Sequence, residues 1–110
     1  MKENETAALT ILMAATEAAM SVPHKKSESA CIALVGVQSQ VKKLLLVPDV
    51  DVVHACREIN LYCTRLSNRT TDRGAQKVYN LADSAALDVV QLILTERVDA
   101  VTYEEQGIES

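Results

Sequence analysis

His54 and Glu58 stand four residues apart, the spacing at which two side chains meet on one face of a helix. A histidine held by a carboxylate is the starting geometry of a general base or a metal ligand. Zinc needs about four converging ligands, however, and Cys56, two residues from His54, points elsewhere on a helix. The pair therefore reads first as a polar helix face, and an enzyme centred on His54 and Glu58 is the weakest of three functional readings.

Arg57, Arg65, Arg69, Arg73 and Lys77 form the second constellation. Arginine forks suit phosphate oxygens, and the free N–H groups of a helix start also favour anions. This pattern supports a small anionic ligand such as a nucleotide as the alternative function. The competing reading is a solvated face: Arg57 and Arg65 diverge by roughly 80° around a helix, Glu58 lies in line to neutralise Arg65, and Asp72 is placed to serve Arg69 or Arg73. A separate basic group, His24-Lys25-Lys26, precedes the second helix. Sequence-specific DNA reading is not expected, because it needs an exposed basic recognition helix and the segment after Lys77 is apolar and acidic.

Other catalytic patterns fail on their companions. Ser39-Gln40-Val41-Lys42 has the bare Ser-x-x-Lys spacing without the partner elements of acyl-transfer enzymes. Gly36, Gly74 and Gly107 are isolated, so no glycine-rich phosphate loop exists. The expectation is a non-enzymatic protein with no catalytic residues, no metal and no cofactor.

The elements that must carry these residues are helical. Val52, Cys56, Ile59, Cys63 and Leu66 repeat at 4-3-4-3, which lines them into one stripe of a 3.6-residue helix. Four such segments are predicted: helix one over about 4–21 with Asn4 as its cap, helix two from Ser27 to about Leu46, helix three over about 50–67 capped by Asp49, and helix four from about Arg73 to near Ala100, capped by Thr71 or Asp72. Pro23 and Pro48 mark two of the breaks. The short connection at Pro48 predicts that helices two and three form a hairpin. Gly36 inside helix two predicts the close approach of a neighbouring backbone, and helix four, the longest, is expected at the centre. The fold expected is all-α: one domain over residues 1–101, a four-helix bundle of antiparallel helices, and a flexible acidic tail at 102–110.

Composition sharpens this. The chain of 110 residues is 48% hydrophobic but has no Phe or Trp and three Tyr, so its core must be aliphatic and alanine-rich, and it lacks the aromatic platforms that stack single-stranded bases. Cys31, Cys56 and Cys63 are an odd number inside apolar patterns, read as reduced core residues. The net charge of −4 is uneven: residues 24–77 hold nine basic against five acidic side chains, whereas residues 78–110 hold Arg97 against seven acids. The chain opens on polar Met1-Lys2-Glu3-Asn4-Glu5 rather than on a basic-then-apolar leader, so a cytoplasmic protein with no membrane association is expected.

Helix one decides the leading reading. Between Thr6 and His24 its single charged residue is Glu17, and a helix apolar nearly all round is buried nearly all round. A small domain can rarely enclose one of its own helices. Leu9, Leu12, Met13 and Met20 are therefore expected at an interface, in a homo-oligomer that binds a protein partner as a regulator, adaptor or assembly factor.

Overall fold

The computed structural model describes residues 2–23 and 27–109, so the basic group His24-Lys25-Lys26 lies outside the described residues. The chain is all-helical. Four helices pack together in the order α1 (Glu3–Met20), α2 (Ser27–Leu46), α3 (Val52–Arg69) and α4 (Arg73–Glu109), and no strand occurs among the described residues.

The helix starts show which polar side chains took the cap positions. Asp51, not Asp49, caps α3, accepting the His54 N–H at 3.1 Å. Asp49 instead occupies a left-handed conformation, φ 52°, in the turn after Pro48, a region that aspartate tolerates better than most side chains. Asp72 caps α4, accepting the Ala75 N–H at 2.9 Å. Lys2 stands at the cap position of α1 without a side-chain hydrogen bond. Asn4, the expected cap, is already helical and donates to the Leu44 carbonyl at 3.0 Å, tying the first turn of α1 to the last turn of α2. At the far end, α4 runs on to Glu109 rather than stopping near Ala100. Residues 101–106 hold neither Pro nor Gly, and a growing helix adds one hydrogen bond per residue even without an apolar face to bury.

α4 is the central element and packs on all three other helices, most extensively on α3 and α1. α2 packs chiefly on α1 and α4 and touches α3 less, so the expected α2–α3 hairpin is a minor contact. Six alanines of α1 and α2 (Ala7, Ala8, Ala15, Ala18, Ala30 and Ala33) lie buried with Ile11, Val37, Val41 and Leu44. The α3 stripe is as the spacing predicts, with Val52, Cys56, Ile59 and Cys63 buried and Leu66 half-buried. Cys31 departs from expectation: it is exposed, because the buried side of α2 follows Ala30, Ala33, Val37, Val41 and Leu44.

The molecule is elongated. Its principal extents are 62 × 24 × 23 Å and its radius of gyration is 16.3 Å, against roughly 13 Å for a compact chain of this length. The cause is α4, whose 37 residues extend about 55 Å at 1.5 Å per residue. Arg97 still reaches Glu3 at the start of α1, N–O 3.4 Å, and beyond it the helix projects.

Gly36 is explained by a side chain rather than a backbone. A Cβ at this position would stand 2.5 Å from the Tyr62 hydroxyl oxygen and 3.6 Å from its Cζ. Tyr62 in turn meets Tyr79 edge-on, centroids 6.3 Å apart at 81°, so α2, α3 and α4 converge on one aromatic pair. Ala exceeds Gly in helix propensity by about 1 kcal/mol. We therefore expect Gly36→Ala to give no gain in stability in the native sequence but a gain of about 1 kcal/mol in a Tyr62→Phe background, where the clashing oxygen is gone. Denaturant unfolding of the four variants checks this, and equal effects in both backgrounds would refute it.

Candidate functional site

The buried faces of the helices are occupied mainly by alanine and valine, and most of the leucines lie outside. Of the twelve leucines, Leu44 alone is buried, while Leu9, Leu45, Leu46, Leu61, Leu81, Leu87, Leu92 and Leu94 are exposed. They are not scattered. On α1, Leu9, Met13, Thr16 and Met20 follow a 4-3-4 spacing on the side opposite Ala7, Ile11, Ala15 and Ala18. Met13 is 53% and Met20 80% exposed. Leu12, at the edge of this stripe, is half-buried against the core. On α2, Ile32, Val35 and Leu46 line the outer side, and Glu28–Leu46 has the length and mean hydropathy, 1.2, of a membrane-crossing helix. Its inner side is already committed to packing through Ala30, Ala33, Val37, Val41 and Leu44.

The total accessible surface is enlarged as well, as the elongated shape requires. A compact 12 kDa monomer exposes roughly 6,000 Å², whereas this chain exposes 7400 Å².

The sequence-predicted polar residues fall elsewhere. His54 and Glu58 do meet, Nε2–Oε1 3.1 Å, but both side chains are more than half exposed. This partnership also takes Glu58 away from Arg65. Among the described residues no cluster of three or more His, Cys, Asp or Glu side chains is grouped as for a metal ion. Arg57, Arg65, Arg69, Arg73 and Lys77 are all exposed. None of them lines the described clefts, which lie between α1 and α4 (Glu3, Thr6, Ala7, Thr10, Asp88, Val89, Leu92, Ile93 and Glu96, about 380 Å³), along α4, at the start of α1 and along α2.

A polar seam between α3 and α4 was not legible as a unit in the sequence. The Asn60 amide donates to one oxygen of Asp83, the Thr64 hydroxyl donates to the other at 3.3 Å, and Ser67 donates to Asn80 at 2.8 Å. The signal is a polar residue every three or four positions beside the apolar stripe of α3, but it shows only once the facing residues of α4 are known. Partial burial raises the Asp83 carboxyl above its ordinary pKa, opposed by the Thr64 hydrogen bond. Comparison with protein-family models, curated proteins and solved structures found no match to this chain.

Two predictions follow from these environments. Burial pushes the thiol of Cys56 up to about 11 and that of Cys63 up to about 12, and only the thiolate reacts. At neutral pH a disulfide reagent is expected to titrate Cys31 rapidly and the other two only on unfolding; rapid labelling that survives Cys31→Ser would contradict this. For Asp83, a carboxyl whose folded pKa is raised binds its proton more tightly folded than unfolded, so stability rises as pH falls through the folded value and levels off below the unfolded one. Unfolding measured against pH should show the native protein gaining on Asp83→Asn as the solution is acidified from neutrality. Asp83→Ala, which leaves Asn60 and Thr64 without their acceptor, should cost about 1 kcal/mol.

Proposed function

We propose that this protein works by association rather than catalysis: a small cytoplasmic helical protein that self-associates and, through the same kind of surface, engages a protein partner as a regulator, adaptor or assembly factor. Its four packed helices are read as an antiparallel four-helix bundle, in keeping with the Asn4–Leu44 and Glu3–Arg97 ties between helix ends. The observation that carries the proposal is the inversion of size across the surface, with alanine inside and leucine and methionine outside. A buried leucine is worth about 1.5–3 kcal/mol relative to an exposed one, so eight exposed leucines forgo a free energy comparable with the whole stability of a small domain. Single exposed apolar residues are ordinary, but contiguous stripes mark interaction surfaces.

α1 supplies the first such surface through Leu9, Met13 and Met20, with Leu12 at its inner margin. The polar constellations contribute less. A surface pair like His54–Glu58 is worth little to stability, and the arginines are suited to choosing an acidic partner by charge complementarity.

Light scattering on the full chain at micromolar concentration is expected to give a mass above the 12.0 kDa of one copy. Met13→Glu, which places a charge on the α1 stripe without touching the core, should lower that mass and leave helicity and unfolding midpoint unchanged. A 12.0 kDa species in the native protein would remove the basis of the self-association.

A further inference from the structure

The outer side of α2 carries an unbroken seam. Glu28, Ile32, Val35, Ser39, Lys42 and Leu46 follow 4-3-4-3-4, and all six are exposed, Ile32 at 64%, Val35 at 63% and Leu46 at 75%. At 100° per residue their mean direction lies about 180° from that of Ala30, Ala33, Val37, Val41 and Leu44, the residues through which α2 packs on the rest of the chain. The seam therefore faces directly away from the other helices. A shallow furrow lined by Glu28, Cys31, Ile32 and Val35 opens along its first half. A repeat averaging 3.5 residues lets one helix lie along another, here for about 27 Å between Glu28 and Leu46 at 1.5 Å per residue.

The charges on the seam select its occupant. Glu28 stands seven residues before Val35, Lys42 stands seven after it, and Lys43 is beside Lys42. Two copies of α2 laid antiparallel and crossing at Val35 place Glu28 of each copy opposite Lys42 and Lys43 of the other, at both ends of the contact. In the same register Ile32 lies opposite Ser39, Val35 meets itself on the twofold axis, and no like charges face each other from Glu28 to Lys43. Laid parallel, the copies would set Glu28 against Glu28 and lysines against lysines, with the helix dipoles aligned rather than opposed.

This symmetry about Val35 makes the seam complementary to itself, which a twofold dimer requires and an unrelated partner does not. A bilayer suits it less well. Glu28–Leu46 has the length and hydropathy of a membrane span, but part of that hydropathy belongs to the buried side, and the seam presents Glu28, Ser39 and Lys42 among its apolar residues. Charged groups are costly in hydrocarbon.

We infer that α2 joins a second copy of this chain through an antiparallel helix pair centred on Val35, with Glu28 of each copy facing Lys42 and Lys43 of the other. The inference rests on the associative function proposed above and adds an interface separate from the α1 surface.

The test uses the full chain. In light scattering at micromolar concentration Val35→Glu, which sets two carboxylates together on the axis, should show a lower mass than the native protein, with helicity unchanged because Val35 is outside the core. Glu28→Lys and Lys42→Glu/Lys43→Glu should each weaken association roughly tenfold, and the variant carrying all three reversals should regain native strength. In a Cys31→Ser background, Ile32→Cys/Ser39→Cys should oxidise with diamide to a dimer linked 32 to 39, a bond that two positions seven apart on one helix cannot close within a chain, while Ser39→Cys alone should not link. Val35→Glu at native mass, where Met13→Glu yields monomer, overturns this pair and leaves the α1 reading intact. The reverse pattern supports the pair and overturns the α1 surface. A triple reversal as weak as its parents, or a Ser39→Cys homodimer, overturns the antiparallel pairing. A monomeric native protein ends both readings, and its sedimentation with phosphatidylserine vesicles would give the seam to lipid instead.

Discussion

Small side chains, alanine above all, on the buried faces of the helices are the constraint on which the rest of the structure depends. Ten of the 24 buried hydrophobic residues are alanine, and small side chains let helices approach closely, since interaxial distance follows the side chains at the contact. A core filled this way holds few large side chains, Leu44 being its one buried leucine, and interiors at crystal-like density do not admit an extra isobutyl group without strain. The leucines and methionines are therefore pushed to the rim and the outside by geometry, although their hydrophobicity exceeds that of the residues within. The apolar surface is a consequence of the core.

The polar seam and the aromatic pair do a different job. Ala and Val surfaces are smooth and specify register weakly, while Asn60, Thr64 and Ser67 each meet one defined partner on α4. Tyr62 locks the third helix into the notch left by Gly36. A hydrogen bond left unmade costs more than a made one contributes, so sliding α3 along α4 is penalised at three points. The same fixing of register determines where α3 ends, and hence how much of α4 is left uncovered.

Parts of this were legible before the structure. The 4-3-4-3 stripe of α3 gave its buried face residue by residue, and Asp72 was readable as a cap because polar residues with short side chains bond the free N–H groups at a helix start. The apolar circumference of α1 led to the expectation that Leu9, Leu12, Met13 and Met20 are covered at an interface; in the single chain Leu9, Met13 and Met20 are exposed and Leu12 is half-buried. Among the expectations that the structure overturned, two show why. Cys31 lies in an apolar run, but where a run is apolar on several sides, composition cannot say which side faces inward. Asp49 and Asp51 are equally good caps on paper, and the left-handed turn after Pro48 decided between them.

The sequence by itself determined the helical class, the approximate element boundaries apart from the end of α4, and the poverty of aromatic core, because these follow from local periodicity, proline placement and composition. Only the tertiary structure decided which side of each helix is inside, that Glu58 serves His54 rather than Arg65, that Gly36 makes room for a tyrosine hydroxyl, and that α4 outruns its neighbours. Each of those depends on residues distant in the chain meeting in space, and a one-dimensional pattern carries no record of which of two equally apolar faces finds a partner first.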